Sequence, residues 1–200
     1  MGSDVSVDWD DEDAVLEAVE EAGLALEHAS ARLRDDKEIV FAAVAANGLA
    51  LEYASARLRD DEGIVRAAVA QHDYAFEDAS ARLRDDADFV RPIVAQDGLA
   101  LGGASKRLQD DEGIVRAAVA QRGGALICAS DRLRDDERIV RAAVAQDGDA
   151  LEYASVRIQI GRRTVVRICL FVLGHESQYP RRQLLRDLVP RIASFLTPKK

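Results

Sequence analysis

A block of 25 residues recurs along this chain and limits what it can fold into. The segment ASARLRDDEGIVRAAVAQ begins at Ala54; ASARLRDDADFVRPIVAQ follows at Ala79, ASKRLQDDEGIVRAAVAQ at Ala104 and ASDRLRDDERIVRAAVAQ at Ala129. Another copy starts at Ala29, a worn one runs from Asp4 to His28, and Ala154-Ser155 opens a copy that soon loses the pattern. A fixed period of this length is the signature of stacked repeats, in which each unit packs mainly on its neighbours. One unit alone cannot bury enough apolar surface to offset the ordering of its backbone, so stacking is obligatory. Units are expected near 4–28, 29–53, 54–78, 79–103, 104–128 and 129–153. They form an array over residues 1–157, followed by a different segment, 158–200.

Within the unit beginning at Asp35, local chemistry predicts two helices. Asp35 can cap the first, with Glu38 three residues on completing a capping box and Asp36 favouring the positive helix end. Ile39, Val40, Ala43 and Val44 recur at helical spacing and form the buried stripe. Gly48 is expected to end this helix in a left-handed conformation. A second helix is expected over Leu49 to Leu58, with Leu51, Ala54 and Leu58 on one face. Short turns make the two antiparallel, and Ala42, Ala43, Ala50 and Ala54 let their backbones approach closely. The chain is 48% hydrophobic but only 5% aromatic, which suits such tight packing. Pro92 falls inside one first helix, where a kink is expected. The fold class is therefore all-α: a right-handed α-solenoid of about six to seven helix-turn-helix repeats with a divergent C-terminal cap.

The pattern DD-x-x-[IF]-V-x-x-x-V-x-x-x-G-x-A-[LF]-x-x-A-S-x-R-L closely resembles repeats of the family labelled domain of unknown function 4116. The resemblance covers about Asp10 to Arg157 and implies short helical repeats. It brings no activity with it. Among the copies, residues 71–74, 96–99, 121–124 and 146–149 vary, as loop surface or partner-reading positions do.

Three ladders could carry chemistry. The paired carboxylates Asp10-Asp11, Asp35-Asp36, Asp60-Asp61, Asp85-Asp86, Asp110-Asp111 and Asp135-Asp136 precede helices, so capping is favoured over calcium binding. Arg32, Arg57, Arg82, Arg107, Arg132 and Arg157 lie near them in sequence and are expected to bridge units. Arg66, Arg91, Arg116 and Arg141 lie opposite the buried valines, as a solvated face or as a row able to grip an acidic protein segment. Ser30, Ser55, Ser80, Ser105, Ser130 and Ser155 are taken as small residues at a helix contact. His28, His72 and His175 are scattered, and no nucleophile elbow, phosphate loop or metal-ligand spacing occurs. No catalytic activity, metal, cofactor or small-molecule ligand is expected. Two cysteines, Cys128 and Cys169, suggest a reducing compartment, cytoplasmic by default.

Charge divides the chain. Residues 1–153 carry 17 basic and 34 acidic side chains, a net of −17; residues 154–200 carry 10 and 2, a net of +8. The repeat body should repel nucleic acid. The longest apolar stretch, Thr164 to Gly174, contains Arg167 and is too short to span a bilayer. Beyond Pro180, Leu184, Leu185, Leu188, Ile192, Phe195 and Leu196 form a broad apolar face. Segment 158–200 is thus expected to be a basic amphipathic element that caps the array or docks elsewhere, with Arg181 and Arg182 available to an acidic partner. The expected function is a non-catalytic scaffold for protein partners, with a structural subunit of a larger assembly as the alternative. A membrane-surface role, prompted by a formal myristoylation match at Gly2 and Ser6, is opposed by the acidity of that stretch.

Overall fold

The computed structural model describes residues 7–159. They contain helices and no strand. Each unit carries one ten-residue α-helix: α1 (Glu12–Glu21), α2 (Lys37–Ala46), α3 (Glu62–Gln71), α4 (Ala87–Gln96), α5 (Glu112–Gln121) and α6 (Glu137–Gln146). The N-cap is the second aspartate of each pair. Asp36, for example, accepts from the amides of Glu38 and Ile39 at 2.9 and 3.2 Å, satisfying donors that the first helical turn leaves open. Asp35 is therefore not the cap expected from sequence; its carboxylate has another task.

The second helix of each unit is not continuous. A six-residue 3-10 helix, such as Gly48–Tyr53, follows the α-helix. The chain then extends through Ala54, whose φ and ψ are −67° and 154°, before a short turn at Leu58–Asp60. The break has a local cause. The Ser55 amide leaves the helical path to donate to the Arg34 carbonyl of the preceding unit at 2.8 Å, and Ser80, Ser105, Ser130 and Ser155 repeat this bond onto Arg59, Arg84, Gln109 and Arg134. An inter-unit backbone bond replaces the intrahelical one that a longer helix would have made.

Gly48 also acts differently from expectation. No glycine among the described residues has a positive φ, and the residue ending α2 is Asn47 in an extended conformation. Gly48 is required because a Cβ there would collide with the Ala68 carbonyl of α3; Gly23, Gly98 and Gly123 meet Ala43, Ala118 and Ala143 in the same way. These glycines set how closely one unit approaches the next.

The aliphatic stripe is buried as expected: Ile39, Val40, Ala43 and Val44 are at most 1% exposed, and their counterparts join one continuous core. Successive α-helices pack side by side, α1 on α2, α2 on α3, α4 on α5 and α5 on α6. The α3 and α4 backbones stand farther apart than any other successive pair. Four residues account for this. Asp73 occupies the glycine position and brings a Cβ. Phe76 stands where the other units carry Leu, and Phe89 where α2, α3, α5 and α6 carry Ile; both are buried, with ring centroids 6.3 Å apart. Pro92 lies inside α4, which nevertheless keeps the ten-residue span of its counterparts.

Candidate interaction surfaces and the inter-unit clasp

The first aspartate of each pair, the serine and the ladder arginine form one arrangement. The Ser55 hydroxyl donates to Asp35 Oδ1, Arg57 Nε donates to the same oxygen at 3.1 Å, and Arg57 Nη2 donates to the Asp35 carbonyl at 2.5 Å. The Ser55 oxygen also accepts from the Leu58 amide at 3.3 Å, capping the short turn. Asp60–Ser80–Arg82, Asp85–Ser105–Arg107, Asp110–Ser130–Arg132 and Asp135–Ser155–Arg157 repeat it. These contacts hold Asp35, Asp60, Asp85 and Asp110 below the usual carboxylate range, the serine hydroxyl contributing most and the arginine next; at Asp135 the order is reversed. The serines are thus linking groups, and small size does not describe their role. The first junction is weaker, with Arg32 Nε 3.9 Å from Asp10 and the Ser30 hydroxyl without a partner among the described residues.

Both carboxylates of each regular pair are therefore engaged, one in the clasp and one as a cap. Among the described residues no group of three or more His, Cys, Asp or Glu is placed to hold a metal ion. His28 packs beside Trp9 with ring centroids 5.0 Å apart, and His72 is the residue that ends α3. Burial, followed by the negative charge of Asp97, pushes the Cys128 thiol up, away from the thiolate a nucleophile needs.

Arg66, Arg91, Arg116 and Arg141 occupy one position on α3, α4, α5 and α6, and all four are exposed. Arg66 lies 3.9 Å from Glu62 and 4.5 Å from the Phe89 ring centroid, and Arg116 lies 3.7 Å from Glu112. Arg91 and Arg141 make no ion pair among the described residues. The same position holds Phe41 on α2, which is 50% exposed, so the row changes from apolar to cationic along the array. Arg181 and Arg182 lie outside the described residues.

A second row was missed. Leu24, Leu49 and Tyr74 occupy the second residue of successive 3-10 helices and are 43%, 38% and 74% exposed. Their 25-residue spacing was visible, and Tyr74 falls in the variable stretch 71–74, but only the structure shows that this position faces out. Beside Tyr74, at the wide α3–α4 junction, a cleft of about 200 Å³ is lined by Asp73, Glu77, Asp97, Gly103 and Arg122, among others. Burial, then the neighbouring Asp97, pushes the Asp73 carboxyl above its ordinary range.

Among the described residues no helix is long and apolar enough to cross a membrane. No curated protein and no solved structure matches the chain. The family model described as Domain of unknown function (DUF4116) matches three tandem segments, 11–59, 61–109 and 111–159, each about two repeat periods long. With most of its length accounted for in this way, the chain belongs to the DUF4116 family.

Proposed function

We propose that the protein is a non-catalytic scaffold, a right-handed helix-turn-helix solenoid that binds a protein partner along one extended surface. The observation that carries this reading is the coincidence of two exposed rows at a constant 25-residue step: Leu24, Leu49 and Tyr74, and Phe41 with Arg66, Arg91, Arg116 and Arg141. Exposed apolar side chains recurring in line mark interaction surfaces more often than isolated ones do. Exposed guanidinium groups recurring at the same step favour a partner segment that combines carboxylates with apolar residues. The clasp carboxylates and serines are already used within the array and leave these rows as the groups with spare valence.

Arg91→Glu combined with Arg141→Glu, and separately Leu49→Ser combined with Tyr74→Ser, should each reduce partner capture in an affinity pull-down while the helical circular-dichroism signal is kept. Retention of the same bound proteins at the same stoichiometry by both variants would remove the basis for this reading. The alternative, a structural subunit docking through residues 158–200, is favoured by the reversal from net −17 to net +8 between the two parts of the chain. In that case Arg181→Glu with Arg182→Glu would abolish assembly, and the row variants would not.

A further inference from the structure

The glycine position of the repeat has a constant neighbour in the next unit. A Cβ at Gly23 would stand 2.9 Å from Asn47 Cβ, one at Gly98 3.2 Å from Arg122 Cβ and one at Gly123 2.7 Å from Asp147 Cβ. Each neighbour is the residue that ends the following α-helix. At these junctions it faces only the hydrogen of a glycine. At the α3–α4 junction the same register sets Asp97 opposite Asp73, and both line the cleft of about 200 Å³. Two carboxylates meet at the one place where successive α-helices stand apart.

Carboxyls so placed repel when both are ionised and attract when they share one proton. The other titratable or charged groups around Asp73 are His72 at the end of α3, Tyr74 and Glu77 on the 3-10 helix Asp73–Asp78, and Arg122 at the end of α5. Burial raises the Asp73 carboxyl most, then the charge of Asp97, then a hydrogen bond with Asp97 that exists only when one of the two holds a proton; the charge of His72 opposes these without cancelling them. The clasp at this junction titrates elsewhere. Asp60 is held below the ordinary carboxylate range by Ser80 and then by Arg82. Acidification therefore reaches the Asp73–Asp97 pair before it reaches the clasp.

We infer that the α3–α4 junction is a proton-controlled hinge. With Asp73 and Asp97 both ionised, the units on its two sides move relative to each other about the intact Asp60–Ser80–Arg82 clasp; one proton shared between the two carboxyls locks them. The proton binds more tightly to the locked form, so locking is complete at low pH and is lost as pH rises through the raised pKa of Asp73. The hinge rests on packing within the array and is independent of which partner the exposed rows bind.

Pulsed EPR distance measurement on the full chain tests this. Spin labels on Ala45→Cys and Ala120→Cys span the hinge, and labels on Ala95→Cys and Ala145→Cys do not; all four positions are exposed, and Cys128→Ser with Cys169→Ser removes the native thiols. The Ala45–Ala120 distance distribution should narrow roughly twofold between neutral and mildly acid pH. Its midpoint should lie above the ordinary carboxylate value of 3.8, and the Ala95–Ala145 distribution should stay constant. Asp73→Asn and, separately, Asp97→Asn should hold the narrow distribution at both pH values. Asn47 already accepts from the Leu49 amide as Asp97 does from the Leu99 amide, so the second variant keeps its local bond. His72→Gln should leave the change in place, which separates the carboxyl pair from histidine titration. A width independent of pH, a change shared by both label pairs, a change that persists in either asparagine variant or is lost in His72→Gln, or a broad distribution in both asparagine variants at neutral pH overturns the inference.

Discussion

The α4–α5 and α5–α6 junctions and the α3–α4 junction are built from the same repeat and close differently. At the first two, Gly98 and Gly123 admit the carbonyls of Ala118 and Ala143, and a glutamine strengthens the contact: Gln121 accepts from the Gly98 amide at 2.9 Å and donates to the Gln96 carbonyl at 2.8 Å. Gln146 accepts from the Gly123 amide at 2.6 Å. At the α3–α4 junction Asp73 blocks the close approach, Gln96 makes neither bond among the described residues, and two phenylalanines fill the wider space. The Asp60–Ser80–Arg82 clasp nevertheless survives there. The spacing of the α-helices and the linkage of the short turns are therefore separate properties of the repeat, and one can be relaxed while the other is kept.

The largest expected effect is at the wide junction. Phe76→Ala should cost about 3 to 5 kcal/mol, and because coupling there is already weakest, calorimetry should resolve two transitions, one for each side. Leu126→Ala, between tightly coupled units, should lower a single transition. One transition in both variants would show that the α3–α4 junction is as cooperative as the rest.

Next in size is Pro92→Ala. Restoring the amide that can donate to the Asp88 carbonyl should raise stability by up to about 3 kcal/mol in urea denaturation. A gain near zero would mean that α4 has already accommodated the ring and that Asp73 alone sets the separation.

Smaller, and opposite in sign, are two carboxylate substitutions. Asp110 has a folded-state pKa lowered by Ser130 and then Arg132, so its contribution is present above the unfolded pKa and lost as pH falls through the folded value. Asp110→Asn should destabilise at neutral pH, and the penalty should fade on acidification. Asp73 has a folded-state pKa raised by burial and then by Asp97, so its ionised form opposes folding above that raised value. Asp73→Asn should stabilise at neutral pH, and that gain should fade as pH falls through the raised pKa. Melting curves at several pH values check both; equal signs would erase the distinction between the junctions. The smallest effect belongs to Arg91→Glu and Arg141→Glu, whose exposed positions should leave the melting temperature nearly unchanged while reducing partner capture.

Unit length, the ten-residue helices and their buried stripe were legible because they depend on interactions within about four residues. Cap, periodic valines and alanines recur together, and any copy shows them. The second helix of the unit was misread for the same reason: Leu51, Ala54 and Leu58 carry helical spacing, but the Ser55 amide takes its partner from residue 34 in the preceding unit. Local periodicity contains no term for that bond. The candidate surfaces divide likewise, since the arginine row was visible from its spacing, whereas the outward direction of Leu24, Leu49 and Tyr74 depends on what the neighbouring 3-10 helices cover.

The sequence by itself determined that the described residues form an all-helical tandem repeat with a 25-residue period, since the period repeats the same short-range free energies. Only the tertiary structure decided which aspartate caps and which clasps, why Gly48 is glycine, and where the array loosens. Each of these is set by atoms about 20 positions apart in the chain, brought together when one unit stacks on the next.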